Sequence, residues 1–224
     1  MKYIITGASS GLGYCLAERL VLHGQVVGIS RSLGRANKLC ESGKFTYIKY
    51  DFSQSLSDER LKNLIDQLKS FINNEQVTLV LNAASFYTSA KRLSALSLTA
   101  LFEVNVFSLM NLVRELQASK LRRIFIVNSI SGMIGQSQQH EYSASKHAIM
   151  GFARSLAKNA KDSEYDVMCI NPGGMKTELW AKYNDVNCSD FLSPDTVADV
   201  CMSLLSIPQR TFIEYMSILP PSDV

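Results

Sequence analysis

The sequence predicts an α/β protein with a doubly wound sheet of seven parallel strands and helices on both faces. Short apolar runs alternate along the chain with amphipathic segments of helical period, a pattern typical of parallel sheets with right-handed crossovers. A glycine-rich segment follows the first apolar run, where sheets of this kind bind ligands. The 224 residues, 46% of them hydrophobic, suit a single domain with one large core.

Each short apolar run predicts a strand, because a parallel strand covered on both faces is apolar throughout. The predicted strands are 3–6, 25–30, 45–50, 77–81, 123–128, 166–170 and 212–218. Between these strands, apolar residues recur every three or four positions, which predicts helices that cover the sheet. The predicted helices are 12–23, 33–41, 58–72, 93–118, 142–158 and 194–205.

Charge and cysteine content argue against several classes of protein. Lysine and arginine total 23 against 20 acidic residues, and the net charge of +3 includes no basic run, so no nucleic-acid partner is expected. The five cysteines are scattered without a C-x-x-C pair, which indicates free thiols in a reducing compartment. The N-terminal apolar run is too short for a signal peptide, and no apolar run approaches the roughly 20 residues of a membrane span. The three histidines lack metal-ligand spacing. We therefore expect a cytoplasmic protein without a metal or a membrane partner.

The glycine-rich segment reads Thr-Gly-Ala-Ser-Ser-Gly-Leu-Gly and opens the first predicted helix. Glycines in this G-x-x-x-G-x-G spacing let backbone amides approach an anion, and the helix N-terminus adds N–H groups and a positive dipole end. The alternative is a tight turn that needs glycine only for its backbone dihedrals. Because the segment follows the first strand of an alternating fold, we interpret it as a dinucleotide phosphate site. Its candidate residues are Gly7, Ser9, Ser10, Gly11, Leu12 and Gly13.

Arg31 follows the second predicted strand, roughly 20 residues after the glycines. An acidic side chain in this region would bind the ribose 2′-hydroxyl of NAD, whereas an arginine can pair with the 2′-phosphate of NADP. No acidic residue is present here, so we predict NADP(H), with a solvated surface arginine as the alternative. Asp51 and Phe52 follow the third strand, where the aspartate is predicted either to meet the adenine or simply to begin a turn.

Asn105 interrupts an apolar stripe on the longest predicted helix. At helical spacing it shares one face with five leucines, which are Leu98, Leu101, Leu109, Leu112 and Leu116. A buried amide without partners costs about 1–3 kcal/mol, so its partners define its role. The amide can fix the register of the helix, hold a water molecule or orient a catalytic lysine.

Three polar residues after the fifth strand suit acid–base chemistry. Ser129 lies at the carboxyl end of that strand, where a serine can donate a hydrogen bond to a substrate oxygen or cap a turn. Tyr142 and Lys146 are four residues apart and therefore share one face of a helix. A tyrosine hydroxyl titrates near 10, and a nearby ammonium favours the phenolate. We therefore predict that Lys146 lowers the pKa of Tyr142.

The order and spacing of these motifs resemble the short-chain dehydrogenase/reductase family, in its compact single-domain type, over nearly the whole chain. The resemblance implies that residues 1–224 form a single NAD(P)-binding Rossmann-fold domain and that four residues form a catalytic tetrad. These four are Asn105, Ser129, Tyr142 and Lys146. It further implies that the cofactor contacts Tyr142, Lys146 and two further segments, which contain Asn82, Ala83 and Ala84, and Pro172, Gly173 and Thr177.

This sequence departs from the family pattern at two places. Ala84 replaces the usual glycine after the fourth strand, which adds a methyl group beside the cofactor backbone. The segment after Gly173 is short, so the lid over the substrate is predicted to be small. Four residues in this segment either form an apolar lid or pack as a small helix on the domain, and these are Met175, Leu179, Trp180 and Tyr183. Gln136 and His140 are candidates for the pocket wall.

Together these observations predict an NADP(H)-dependent carbonyl reductase or alcohol dehydrogenase. Tyr142 is the expected acid and base, Ser129 hydrogen-bonds the substrate oxygen, and the resemblance implies that Lys146 binds the nicotinamide ribose while Asn105 holds a relay water. An NAD-preferring alcohol dehydrogenase is the alternative within this class. A non-catalytic regulator that senses the NADPH/NADP ratio is the alternative outside it, because the fold alone requires no chemistry. The family resemblance also implies a homodimer or homotetramer, formed through helices 93–118 and 142–158.

Overall fold

A central sheet of seven parallel strands organises the protein, in the order β3-β2-β1-β4-β5-β6-β7. The computed structural model describes residues 1–54, 58–88, 93–183, 187–211 and 213–221. The strands are β1 (Lys2–Thr6), β2 (Gln25–Ser30), β3 (Phe45–Lys49), β4 (Val77–Leu81), β5 (Leu121–Val127), β6 (Asp166–Pro172) and β7 (Met216–Ile218). The strand order reverses between β1 and β4, so a crevice opens at the carboxyl ends of these strands. The predicted doubly wound parallel sheet is confirmed.

Helices cover both faces of the sheet. They are α1 (Gly11–Leu20), α2 (Asn37–Cys40), α3 (Asp58–Ile72), α4 (Ala95–Phe102), α5 (Ser108–Leu116), α6 (His140–Asn159) and α7 (Pro194–Ser206). Successive strand residues point to opposite faces, so Ile124 packs with α3, α5 and α6 while the next residue, Phe125, packs with α1 and α7. The two apolar layers explain why the strands lack a polar face.

Three predicted elements differ in extent. The last strand was predicted over 212–218 but is observed only at Met216–Ile218, and Phe212 lies outside the described residues. The preceding side chains contact α6 instead, since Glu214 lies 3.1 Å from Arg154 and the Arg154 guanidinium lies over the Tyr215 ring. The helix predicted over 33–41 is a 3-10 turn followed by the four-residue α2, because Gly34 takes a left-handed conformation against Ser9. The first helix ends at Leu20, before the predicted 23.

A π-helical turn, Glu103–Phe107, joins α4 to α5 and contains Asn105. A π turn inserts one extra residue into the helical register. The predicted stripe is nevertheless buried at Leu101 and at the leucines after the turn, which are Leu109, Leu112 and Leu116. It is wrong for Leu98, which is 38% exposed.

The continuous helix Ala95–Leu116 is long and apolar enough to cross a membrane by length and composition, with a mean hydropathy of 1.6 over 18 residues. The expectation concerned an uninterrupted apolar run of roughly 20 residues, and Glu103, Asn105 and Arg114 interrupt this helix. Core helices of globular proteins pass the same test, and Leu101, Leu109 and Leu112 of this helix are buried inside the fold. Packing on the sheet and on α6 thus explains the buried part of its apolar composition.

Candidate active site

The glycine-rich turn after β1 has no room for larger side chains. Gly7 has φ +73° and Gly11 has φ +51°, which is the left-handed region that favours glycine. A Cβ atom on Gly13 would lie 2.1 Å from the carbonyl oxygen of Gly7, so α1 begins in direct contact with the turn. The glycines therefore let the turn and the start of α1 pack backbone against backbone.

The N-terminus of α1 offers hydrogen-bond donors. Ser10 is its N-cap residue and is extended, but its side chain makes no capping hydrogen bond to the helix. The first-turn amides of a ten-residue helix are then left for an anion, together with the positive end of the dipole. These residues fit the phosphates of a dinucleotide. The backbone carbonyl of Ser9 accepts a hydrogen bond from the Arg35 amide at 3.0 Å, which fixes the turn.

The segment after β4 fixes the glycine-rich turn. The Asn82 side-chain amide donates to the carbonyl oxygens of Thr6 and Gly7 at 3.0 and 3.3 Å. In return, the Thr6 hydroxyl accepts from the backbone amides of Asn82 and Ala83, both at 2.9 Å. The side chain of Asn82 thus supports the turn from behind, and the extra methyl group of Ala84 is accommodated at the exposed surface.

The segment after β6 crosses the other side of the same turn. Pro172 is buried, and the Gly173 amide donates to the Ile218 carbonyl at 2.8 Å, which anchors the segment to β7. Further along, the Thr177 side chain lies over Gly11, where an added Cβ atom would be 3.1 Å from its methyl group. The predicted cofactor segments are therefore brought together around one crevice.

Arg31 and Asp51 line a cleft of about 400 Å³ beside the end of β3. Arg31 is exposed. One oxygen of Asp51 accepts from the amide and the hydroxyl of Ser53, at 2.9 and 2.7 Å, so this aspartate begins a turn as the alternative interpretation stated. Phe52 is buried in the core, with its ring 4.9 Å from that of Tyr50. The side chain of Phe52 therefore packs in the core and does not face the cofactor crevice.

The four tetrad candidates lie around the carboxyl end of β5. Tyr142 and Lys146 are buried on α6, with 8% and 3% exposure. Ser129 follows β5 and lines the same cleft as Tyr142, and its hydroxyl accepts from the Ser131 amide at 3.2 Å. The Lys146 ammonium lies 5.7 Å from the centre of the Tyr142 ring. The serine is thus both a turn cap and a partner of the phenol.

Burial dominates the ionisation of the buried pair. Removal from water raises the pKa of Tyr142 to about 12, and the hydrogen bond with Ser129 offsets only part of this increase. Burial also lowers the pKa of Lys146 to about 8, with Cys169 acting in the opposite sense. The prediction that the lysine lowers the phenol pKa is therefore wrong for this structure, because desolvation outweighs any charge interaction.

Asn105 is fully bonded within the protein. Its Nδ2 donates to the Ser85 carbonyl at 2.9 Å and to the Ser145 hydroxyl at 3.0 Å, and its Oδ1 accepts from the Ser85 amide at 2.7 Å. The amide therefore positions the loop after β4 and ties it to α6. The relay water implied by the resemblance stays a prediction.

An aromatic cluster that sequence reasoning only partly identified surrounds Tyr142. Phe86 packs edge-on against Tyr142, with ring centres 4.9 Å apart, and also contacts Trp180 and Tyr183. The 3-10 turn Glu178–Lys182 carries Trp180, so the short segment after Gly173 both packs on the fold and covers a cleft beside Tyr142. Gln136 lines this cleft as predicted, whereas His140 is not among its described lining residues.

The fold and this site define a Rossmann-type α/β protein with a tyrosine and a lysine at the mouth of the sheet. Residues 2–187 match the model of the family described as short chain dehydrogenase. Nodulation protein G of Rhizobium sp. (strain N33) is 30% identical over 82% of this chain and 77% of its own length. The chain belongs to the short-chain dehydrogenase family of oxidoreductases.

Solved structures show the same fold at low sequence identity. The closed form of serine dehydrogenase complexed with NADP+ has a TM-score of 0.82 and 19% identity, and the match covers 97% of this chain and 94% of that one. A 4-hydroxyisoleucine dehydrogenase mutant complexed with NADH and succinate has a TM-score of 0.83 and 21% identity, with 98% and 97% covered.

Proposed function

We propose that the protein is an NADP(H)-dependent oxidoreductase that transfers a hydride between the nicotinamide and a carbonyl or alcohol substrate. The observation that carries the proposal is geometric: Ser129 and the buried Tyr142 line one cleft, and the Lys146 ammonium lies 5.7 Å from the centre of the Tyr142 ring. Family membership supports the reaction class. The glycine-rich turn and the open N-terminus of α1 support a dinucleotide, and both solved structures cited above contain one.

In the reductive direction, the bound nicotinamide supplies the hydride, and the protein supplies the proton and the charge stabilisation. Tyr142 is protonated at neutral pH because its pKa is about 12, so it can donate its proton to the carbonyl oxygen. Ser129 hydrogen-bonds the same oxygen and stabilises the charge that develops there. Lys146, with a pKa of about 8, is mostly charged at pH 7, and in this proposal it binds the nicotinamide ribose and restores the proton.

The preference for NADP(H) rests on Arg31. This exposed guanidinium follows β2, the strand whose end lies beside the ribose in such folds, and it lines the cleft next to Asp51. The cited structures contain NADP+ in one case and NADH in the other, so the likeness of fold favours neither cofactor. An NAD-preferring dehydrogenase is therefore the alternative that a titration with both cofactors decides.

The experiment that tests the function follows NADPH absorbance at 340 nm with a panel of aldehydes, ketones and quinones. Tyr142→Phe should lower turnover by about 10²–10⁴-fold, the usual contribution of a positioned acid, and leave NADPH binding within about threefold. Tyr215→Phe, at a tyrosine stacked on Arg154 away from the cleft, is the matched control. A Tyr142→Phe variant that kept most of its turnover would contradict the proton donor. Tight NADPH binding without turnover of any substrate would favour the non-catalytic sensor.

We also propose a cytoplasmic homodimer or homotetramer that associates through α4, α5 and α6. Three large apolar side chains on α4 and the π turn that follows it are exposed, with Leu96 at 83%, Phe107 at 45% and Leu98 at 38%. Light scattering coupled to gel filtration tests the assembly. A Leu96→Glu, Phe107→Glu variant should lower the measured mass, and an unchanged mass would move the contact elsewhere.

A further inference from the structure

Three aromatic rings form one wall of the cleft beside Tyr142. The ring centre of Phe86 lies 4.7 Å from that of Trp180, and Trp180 continues to Phe191 at 5.2 Å. We call Phe86, Trp180 and Phe191 the aromatic wall, since all three line the cleft. Tyr142 meets this wall edge-on through Phe86, at an interplanar angle of 75°. The proton donor and the wall are therefore adjacent.

The aromatic wall is held in place from behind. Tyr183 donates its hydroxyl proton to the Phe86 carbonyl at 3.0 Å, and Asn105 fixes the neighbouring Ser85. Phe86 itself is only 8% exposed. The ring of Phe191 lies on the backbone of Gly174, where an added Cβ atom would be 2.7 Å from the ring. A wall fixed in this way is ordered before a ligand arrives, which lowers the entropic cost of binding.

The cleft is small and its lining carries no net charge. Its volume is about 160 Å³. Pro172, Gly173 and Thr177, which are candidate cofactor residues, also line the cleft, so the space left for a substrate beside a bound nicotinamide is smaller still. Within the part of the chain that the structure describes, none of its lining residues is an acid, a lysine, an arginine or a histidine. Its other polar groups include the neutral amides of Gln136 and Gln139, and the latter accepts from the Ser131 hydroxyl at 3.2 Å. A carboxylate or phosphate would lose its hydration here without gaining a counter-charge.

We infer that the substrate is an uncharged aryl carbonyl compound, an aromatic aldehyde or ketone with a single ring next to its carbonyl group. The ring packs edge-to-face or offset on the aromatic wall, and the carbonyl oxygen reaches Tyr142 and Ser129. Turnover rests on the function proposed above, but binding of the ring does not. The carbonyl carbon accepts the hydride from the reduced nicotinamide, and the electron pair of the carbonyl π bond moves to the oxygen. That oxygen then accepts the proton of Tyr142. The products are the benzylic alcohol and the oxidised cofactor.

Binding can be measured without any reaction because Trp180 is the only tryptophan of the chain and belongs to the wall. The probes are benzamide, cyclohexanecarboxamide and 4-carbamoylbenzoate, whose amide carbonyls do not accept a hydride under assay conditions. They are titrated into the NADP+-saturated protein while tryptophan emission is followed. We expect benzamide to bind about tenfold more tightly than the saturated amide, and the charged analogue to bind at least tenfold more weakly than benzamide.

Phe86→Leu keeps an apolar side chain but removes a ring, and it should reduce the preference for benzamide to within about threefold. Tyr215→Leu removes a ring outside the cleft and should leave the preference unchanged. If Phe86→Leu does not fold, Phe191→Leu replaces it with the same expectation. Equal binding of the saturated amide, or tighter binding of the charged one, would overturn the inference.

Turnover is then measured separately, with NADPH and the matched pair benzaldehyde and cyclohexanecarbaldehyde. A benzamide preference without reduction of any carbonyl supports the aryl site and contradicts the proposed function. Reduction of carbonyls with no preference for the aryl member of either pair supports the function and overturns the aryl site. The two failures are thus distinguished by the two readouts.

Discussion

The Asn105 side chain hydrogen-bonds both backbone groups of Ser85. It accepts from the Ser85 amide at 2.7 Å and donates to the Ser85 carbonyl at 2.9 Å. The second N–H of the same side chain reaches the Ser145 hydroxyl at 3.0 Å, which in turn donates to the Tyr142 carbonyl at 2.7 Å. One buried amide in a π turn therefore joins the loop that carries Phe86 to the helix that carries Tyr142. Asn105 therefore belongs to the site because it holds these two segments together, and it carries no ionisable group.

Replacing Asn105 by leucine should loosen the wall of the cleft. The change leaves the Ser85 amide and carbonyl without their partners, which costs about 2–4 kcal/mol of unfolding free energy. We expect KM for the carbonyl substrate to rise about tenfold while the dissociation constant of NADPH changes less than threefold. Urea denaturation and steady-state kinetics measure the two effects. Asn159→Leu, at an exposed position of α6, is the control. A variant that lost NADPH binding instead would place Asn105 in the cofactor site.

Sequence spacing predicted which residues meet at the site, but not how they ionise. Tyr142 and Lys146 share a helix face because four residues make about one turn, and Ser129 follows a strand whose end faces the crevice. The direction of the Tyr142 pKa shift depends on how much of both side chains is removed from water. Burial is a property of the packed site, and no local pattern encodes it.

Two structural features escaped prediction for related reasons. The π turn at Glu103–Phe107 changes the helical register, and the apolar spacing on both sides of it still fits an ordinary helix. Phe86 lies in an irregular segment after β4, where no periodicity marks a buried side chain. Only the packing of Trp180 and Tyr183 from a distant segment turns that residue into a wall of the cleft.

Asp166 should be important for stability and not for catalysis. It pairs with Arg123 at 3.0 Å, both side chains are almost fully buried, and the guanidinium also donates to the Leu204 and Leu205 carbonyls at the end of α7. Asp166→Ala leaves a buried guanidinium without its counter-charge, which should cost about 3–5 kcal/mol of unfolding free energy. Chemical denaturation measures the loss, and kcat per folded molecule should stay within twofold.

The matched control for Asp166 is the exposed pair of Arg114 and Glu115, 3.1 Å apart. Glu115→Ala should cost less than about 0.5 kcal/mol because water and salt screen a surface pair. Equal losses for the two substitutions would show that the buried pair has no special role.

Arg31→Gln should change the choice of cofactor. Loss of a guanidinium partner for the 2′-phosphate should weaken NADPH binding by about 10–100-fold, the range for a lost charge-assisted hydrogen bond. NADH lacks this phosphate, so its affinity should change less than threefold. Fluorescence titration with each cofactor measures both constants, with Arg114→Gln on α5 as the control. Equal weakening of both cofactors would remove Arg31 from the phosphate site.

Lys146→Met should stabilise the fold while it abolishes turnover. The pKa of Lys146 is lowered from 10.5 to about 8, so holding its charge inside the protein at pH 7 costs on the order of 3 kcal/mol. An apolar side chain of similar length does not carry this cost. Between pH 8 and 10.5 the unfolded state binds more protons than the folded state, so the stability of the parent protein should rise with pH through that window. A higher Tm for the variant at pH 7 than for the parent, with a difference that shrinks by pH 10, is the expected result; a lower Tm at both values would contradict it.

The pH profile of alcohol oxidation reports the pKa of Tyr142 directly. Oxidation needs the phenolate as base, and a pKa of about 12 leaves only a small fraction ionised at neutral pH. We therefore expect kcat/KM for an alcohol with NADP+ to rise about tenfold per pH unit from 7 to 8. Above pH 8 the rise should be less steep because Lys146, with a pKa of about 8, loses the charge proposed to bind the ribose. Reduction, which uses the protonated phenol, should gain nothing over the same range. Initial rates in both directions, with far-ultraviolet circular dichroism to confirm that the fold persists at pH 10, provide the measurement. An oxidative profile that is flat between pH 7 and 8 would mean that the phenol is already ionised near pH 7, and this would contradict the increase in its pKa that burial causes.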